Sequence, residues 1–134
     1  MRLHLSLALS IALIFTLSNC QKTEAVTPIV VIPPGEVATL FITAVFENND
    51  ILAASALAVG DLKQKISNTS ETELNQLKLI TGFEVSNITV EIKESTNLSV
   101  VSMKTKMTLN GNELNGEQNL VLKLIDNQWM VYHF

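Results

Sequence analysis

From Asn87 to Phe134 apolar and polar residues take turns, and that alternation commits this half of the chain to β-strands. In Asn87–Lys93, Ile88, Val90 and Ile92 fall on one face and Thr89, Glu91 and Lys93 on the other. Ser95-Thr96-Asn97 supplies a turn, and a long strand follows from Leu98 to Leu109. Val101, Met103, Met107 and Leu109 share its apolar face; Lys104 and Lys106 take the other. Asn110-Gly111 is a strong hairpin signal, because both residue types accept positive φ, and Asn115-Gly116 repeats it nearby. Leu120, Leu122 and Leu124 mark the next strand, which Val121 and Ile125 make apolar on both sides. Asp126-Asn127 turns the chain into Gln128–Phe134, the last strand. Strands joined in sequence by short turns predict an antiparallel meander.

The preceding stretch has a helical rhythm. Pro34, Gly35 and Glu36 suit a first turn, where proline is tolerated and an acid meets the positive end of the dipole. Val37, Leu40, Phe41, Ala44, Val45 and Asn48 follow the i, i+3, i+4 spacing, and Ile42 and Phe46 widen the stripe. Asn48-Asn49-Asp50 breaks the helix, with Asp50 placed to cap a second one over Ile51–Val59 that Gly60 would end. Asp61 would cap a further turn through Ile66. Ser70-Glu71-Thr72-Glu73 is a capping-box pattern opening a third helix, with Leu74, Leu77 and Ile80 on one side and Gly82 as its stop. Helices first and strands afterwards predict an α+β domain, with N-terminal helices packed on a curved antiparallel β-sheet.

The chain opens differently. Arg2 precedes a mostly apolar run, Leu3–Leu17, too short to span a bilayer (about 20 residues are needed) but suited to a secretory signal core. The run ends at Leu17-Ser18-Asn19-Cys20, which resembles the lipobox of bacterial lipoproteins; Asn19 departs from the usual small residue before the cysteine. The resemblance implies cleavage before Cys20, lipidation of Cys20, and anchoring to a membrane. Acyl chains gain about 0.8 kcal/mol per buried CH₂, so several would hold the protein firmly. Gln21 is not the Asp that marks inner-membrane retention, so an outer membrane, where one exists, is the expected location. The expected organisation is a signal peptide over 1–19, lipidated Cys20 and a tether over 20–35, and one domain over 36–134. The tether carries all three prolines; its run Ile29–Ile32 is either an extended segment on the domain or plain linker.

The order of elements, with FITAVFENNDILAASALAV at the start and LVLKLIDNQWMVYHF at the end, resembles the nuclear-transport-factor-two-like superfamily, a cone-shaped cystatin-like α+β fold. That likeness implies a cone whose interior, if open, takes its lining from Phe41, Val45, Met103, Met107 and Trp129. Core packing explains Met103 and Met107 as well, and Trp129 equally suits a cover for the sheet. Enzymes of the superfamily place an Asp or His base and Tyr or Asp donors inside the cone. In this chain Tyr132 and His133 are neighbours on a strand, so they leave opposite faces unless a bulge intervenes. Asp50 and Asp61 read as caps, so no residue is expected to be catalytic. No cofactor is expected, and His and Cys nowhere cluster at metal-ligand spacing. Net charge −4 argues against nucleic acid as a partner. The expectation is a non-enzymatic, membrane-tethered binding or interaction module, its partner a small apolar molecule, a cell-wall component or another envelope protein. Two alternatives remain: an isomerase- or dehydratase-like enzyme, and a homodimeric structural module joined through the sheet.

Overall fold

Pro33 and Pro34 set the start of the first described element. In a computed structural model, which describes residues 30–134, helix α1 runs Pro34–Phe46, with Pro34 in its first turn. The signal peptide, Cys20 and the tether as far as residue 29 lie outside the described residues. Val30–Pro33 form neither helix nor strand. Val37, Ala38, Phe41 and Ile42 are buried along α1, while Leu40 points outward at 46% exposure despite its place in the apolar rhythm.

Asn49, at φ 52, breaks the chain after α1, and Asp50 caps α2 (Ile51–Ala56) by accepting from the Ala53 N–H at 2.9 Å. The expected helix over Ile51–Val59 stops early, for a physical reason. Val59 N–H donates to Val131 O at 2.9 Å and Val131 N–H to Leu57 O at 2.8 Å. Residues 57–59 therefore lie beside the last strand as a parallel bridge centred on Ala58. Gly60 does not end α2 but begins α3 (Gly60–Ser67), and Asp61 sits inside its first turn instead of capping it. Helix α4 (Glu71–Leu77) opens with the complete Ser70–Glu73 capping box. It ends before Ile80, which belongs to the sheet; Gly82, at φ 59, sits where the register of the first strand shifts. Among the described residues, four helices thus precede the sheet, where the sequence predicts three and a turn.

The sheet is the predicted meander. Strands β1 (Ile80–Lys93), β2 (Leu98–Leu109), β3 (Asn112–Ile125) and β4 (Gln128–His133) lie in the order β1-β2-β3-β4, all antiparallel. Asn110 (φ 51) and Gly111 (φ 78) form a two-residue hairpin loop whose positive φ values match the strand twist. Asp126 (φ 49) and Asn127 (φ 62) do the same. Asn115-Gly116 is no turn: it lies inside β3, opposite Lys106 and Thr105, because the first Asn-Gly already closes the hairpin. Phe41, Ile42, Val101, Met103, Leu120, Leu122 and Val131 make the fully buried centre between α1 and the sheet. At about 1.5–3 kcal/mol for each large apolar side chain buried, this layer is the main stabilising term.

Candidate functional site

The helices cover the sheet unevenly, and α4 is the cause. It has no buried residue, so it stands off the core and leaves an apolar groove between itself, the end of α1 and the start of β1. Val45, Phe46, Leu77, Ile80, Leu109 and Phe134 form its walls, around about 660 Å³. A recess of about 140 Å³ continues from the groove toward Phe41, Ile51 and Ile66; both spaces are lined by Val45, Leu77 and Phe134. Phe134 packs edge-on against Phe41 (ring centroids 5.6 Å apart) and Phe46 (6.0 Å), and Phe46 stacks on Phe83 at 5.7 Å. This aromatic cluster fixes one wall of the groove.

Two charged side chains stand at the rim. The Glu73 carboxylate accepts from the Ser70 N–H and hydroxyl, each at 2.8 Å, and these bonds, with Lys65 nearby, hold it below the usual carboxylate range. Lys65 lines both groove and recess. The arrangement suits an apolar body with one polar end at the rim. Among the described residues no three His, Cys, Asp or Glu side chains gather as a metal site, and no helix is long and apolar enough to cross a membrane.

The residues singled out from sequence are distributed, not gathered. Phe41 and Val45 line the recess, and Val45 also lines the groove. Met103 is buried in the core at 1% exposure, and Met107 is half-buried on the same strand. Trp129 is 8% exposed and borders a separate hollow of about 170 Å³ with Val30, Ile32, Val37 and Leu57. Val30 and Ile32 border that hollow but stay exposed, at 82% and 44%. Leu77, Phe134, Lys65 and Glu73 were not named as lining. Leu77 was visible as part of a helical stripe; Phe134 gave no signal, since a terminal aromatic residue has no periodic partner.

Tyr132 and His133 are brought together. Val131 faces Leu122 but His133 faces Val121, so two residues of β4 oppose one step of β3. That bulge breaks the alternation. Both side chains line one half-open cleft of about 480 Å³, with Gly60, Asp61, Leu62 and Lys65, and Phe134 turns inward beyond them. Lys123 Nζ lies 5.9 Å from the Tyr132 ring centroid, a cation–π contact.

Solved structures give the comparison. An NTF2-like (nuclear-transport-factor-two-like) protein of unknown function from Shewanella oneidensis matches at TM-score 0.50 and 12% identity, over 72% of this chain and 88% of that one. The fold is NTF2-like. A protein from Campylobacter jejuni, provisionally named an NTF2-like transpeptidase, is similar at TM-score 0.49 and 15% identity, over 77% of this chain and all of that one. No protein-family model matches the sequence, and no curated protein matches it. At such identities the likeness concerns architecture alone, and the chemistry of this NTF2-like domain rests on its own residues.

Proposed function

We propose that this protein is a lipid-anchored component of a bacterial envelope whose NTF2-like domain binds a small, largely apolar molecule without transforming it. The groove under α4 is the observation that carries this reading. Its volume of about 660 Å³ lies in the range of small-molecule sites, and its walls are apolar and aromatic. The anchor rests on the start of the sequence: a positive residue, a short apolar core, and Leu17-Ser18-Asn19-Cys20. Residues 21–33 would hold the domain off the membrane, at the outer membrane where the cell has one.

Native mass spectrometry of the full chain in detergent, compared with its denatured mass, tests the reading. The expected result is an added mass that denaturation removes and that Leu77→Glu abolishes. Leu77 is half-buried on α4, outside the core, so this variant should still fold. A bare mass for the parent chain after exposure to envelope lipid extract would overturn the small-molecule reading.

A second reading has one observation in its favour. The β4 bulge gives Tyr132 and His133 a common cleft, as an acid–base pair would require. Both are exposed, however, with Tyr132 at 51%. In open water a donor and a base gain little from the protein's field. Binding is therefore the better account of the molecule.

A further inference from the structure

A β-sheet with free edges offers unpaired N–H and C=O groups to any strand that arrives. Here the β4 edge is occupied, since residues 57–59 bond to Val131 on both of its backbone groups. Strand β1 is the other edge, and no described strand pairs with its outer side. On the helix-facing side β1 also carries Ile88, Val90 and Ile92, at 44%, 45% and 51% exposure. Helix α1 reaches this row only at its start: a Cβ placed on Gly35 would stand 3.0 Å from Val90 Cγ2 and 3.6 Å from Ile88 Cγ2. Three branched apolar residues therefore lie bare beside an open edge.

We propose that β1 pairs with β1 of a second copy, antiparallel, about a twofold axis through Val90. The phase of the backbone supports it. Ser99 Oγ, on β2, donates to the Glu91 carbonyl at 3.1 Å, so the backbone of Glu91 faces β2. Alternation then turns the N–H and C=O groups of Val90 and Ile92 to the open edge. The axis sets Val90 opposite its twin and Ile88 opposite Ile92, which joins the two bare rows into one apolar stripe.

Charge and length select this register. Glu91 falls opposite Thr89, and the regular pairing ends before Asn87, whose φ is 51. An axis at Glu91 would set two carboxylates face to face, and like charges directly opposite are destabilising. An axis at Ile92 would run the pairing past Lys93 into the 3₁₀ turn Glu94–Thr96. An axis at Thr89 would carry most of the pairing through the register shift between Ser86 and Thr89, whereas an axis at Val90 keeps Thr89–Glu91 regular and meets the shift only at Ile88. Val90 is the axis that remains once these three are set aside, and the surface is its own complement, as a twofold interface requires.

The test is disulfide trapping in the full chain carrying Cys20→Ser, which removes the native thiol. Directly opposite residues of a bonded pair have Cα atoms about 5.5 Å apart, within disulfide reach. Val90→Cys should give a covalent dimer on mild oxidation. Ile92→Cys should not, because its twin would lie about 13 Å along the strand. Should Val90→Cys disturb α1, an equal mixture of Thr89→Cys and Glu91→Cys chains replaces it. Both sites are exposed, and the mixture should trap the heterodimer. Ile88→Lys together with Ile92→Lys should return the mass of one chain. A parent that stays monomeric at micromolar concentration overturns the proposal. So does equal trapping at positions 90 and 92, or a dimer that none of these cysteines traps, which would place the contact on the broad face of the sheet.

Discussion

Thr105 and Ser99 share the inner face of β2, and both are buried, at 3% and 0% exposure. Ser99 meets the demand of burial by donating to the Glu91 carbonyl. Thr105 does not: its Oγ1 has no protein partner, and it lies opposite Gly116 and Val85. A buried hydroxyl without a partner costs about 1–3 kcal/mol, whereas a methyl in its place costs nothing in hydrogen bonds. Thr105→Val should therefore stabilise the domain by about 1 kcal/mol, read as a rise in Tm of roughly 4–8 °C in a thermal melt. A fall in Tm would show that the hydroxyl contributes to the folded state. Alternation along β2 sets Thr105 on the same face as Met103 and Met107. It could not show which of two buried hydroxyls finds a carbonyl, because that depends on the cross-strand register.

Among the α-helices, α4 is the one that burial holds least. Its capping box does what packing does elsewhere, and that makes it sensitive to pH. Glu73 is held below the ordinary carboxylate range chiefly by the Ser70 N–H, then by the Ser70 hydroxyl and Lys65. A depressed folded-state pKa adds stability above the unfolded value and loses it as pH falls through the folded one. Between about pH 6 and pH 3, amide exchange in α4, corrected for its intrinsic rate, should accelerate more than exchange in β2 or β3. Ser70→Ala should cost about 1 kcal/mol of local helix stability and remove most of that pH dependence. The melt of the whole domain should hardly move, since α4 has no buried residue. Elements of this kind were legible: the Asp50 cap, the capping box, the strand faces and two hairpin loops are all local patterns. What stayed hidden was set from far away. Asn110-Gly111 and Asn115-Gly116 look alike, and only pairing of Leu109 with Asn112 decides between them. The second helix stops at Ala56 because Val131 claims Leu57 and Val59. The bulge at Tyr132 carries no glycine or proline to announce it, so the cleft that depends on it could not be foreseen.

For the molecule as a whole, the proposed anchor and the groove are separable. Cys20→Ala should abolish labelling by radioactive palmitate and move the protein from the membrane pellet to the soluble fraction. It should leave any ligand-dependent mass of the domain intact. Labelling that persists would refute lipidation at Cys20. The bridge between residues 57–59 and Val131 also bears on time. Synthesis makes Leu57 and Val59 early and Val131 among the last described residues, yet their backbone groups satisfy one another. Until β4 arrives, the helical layer lacks both a bonded neighbour and much of the surface it rests on. The contact between the helices and the last strand can therefore close only when nearly all of the described chain is available, which under the proposed anchoring would be after export.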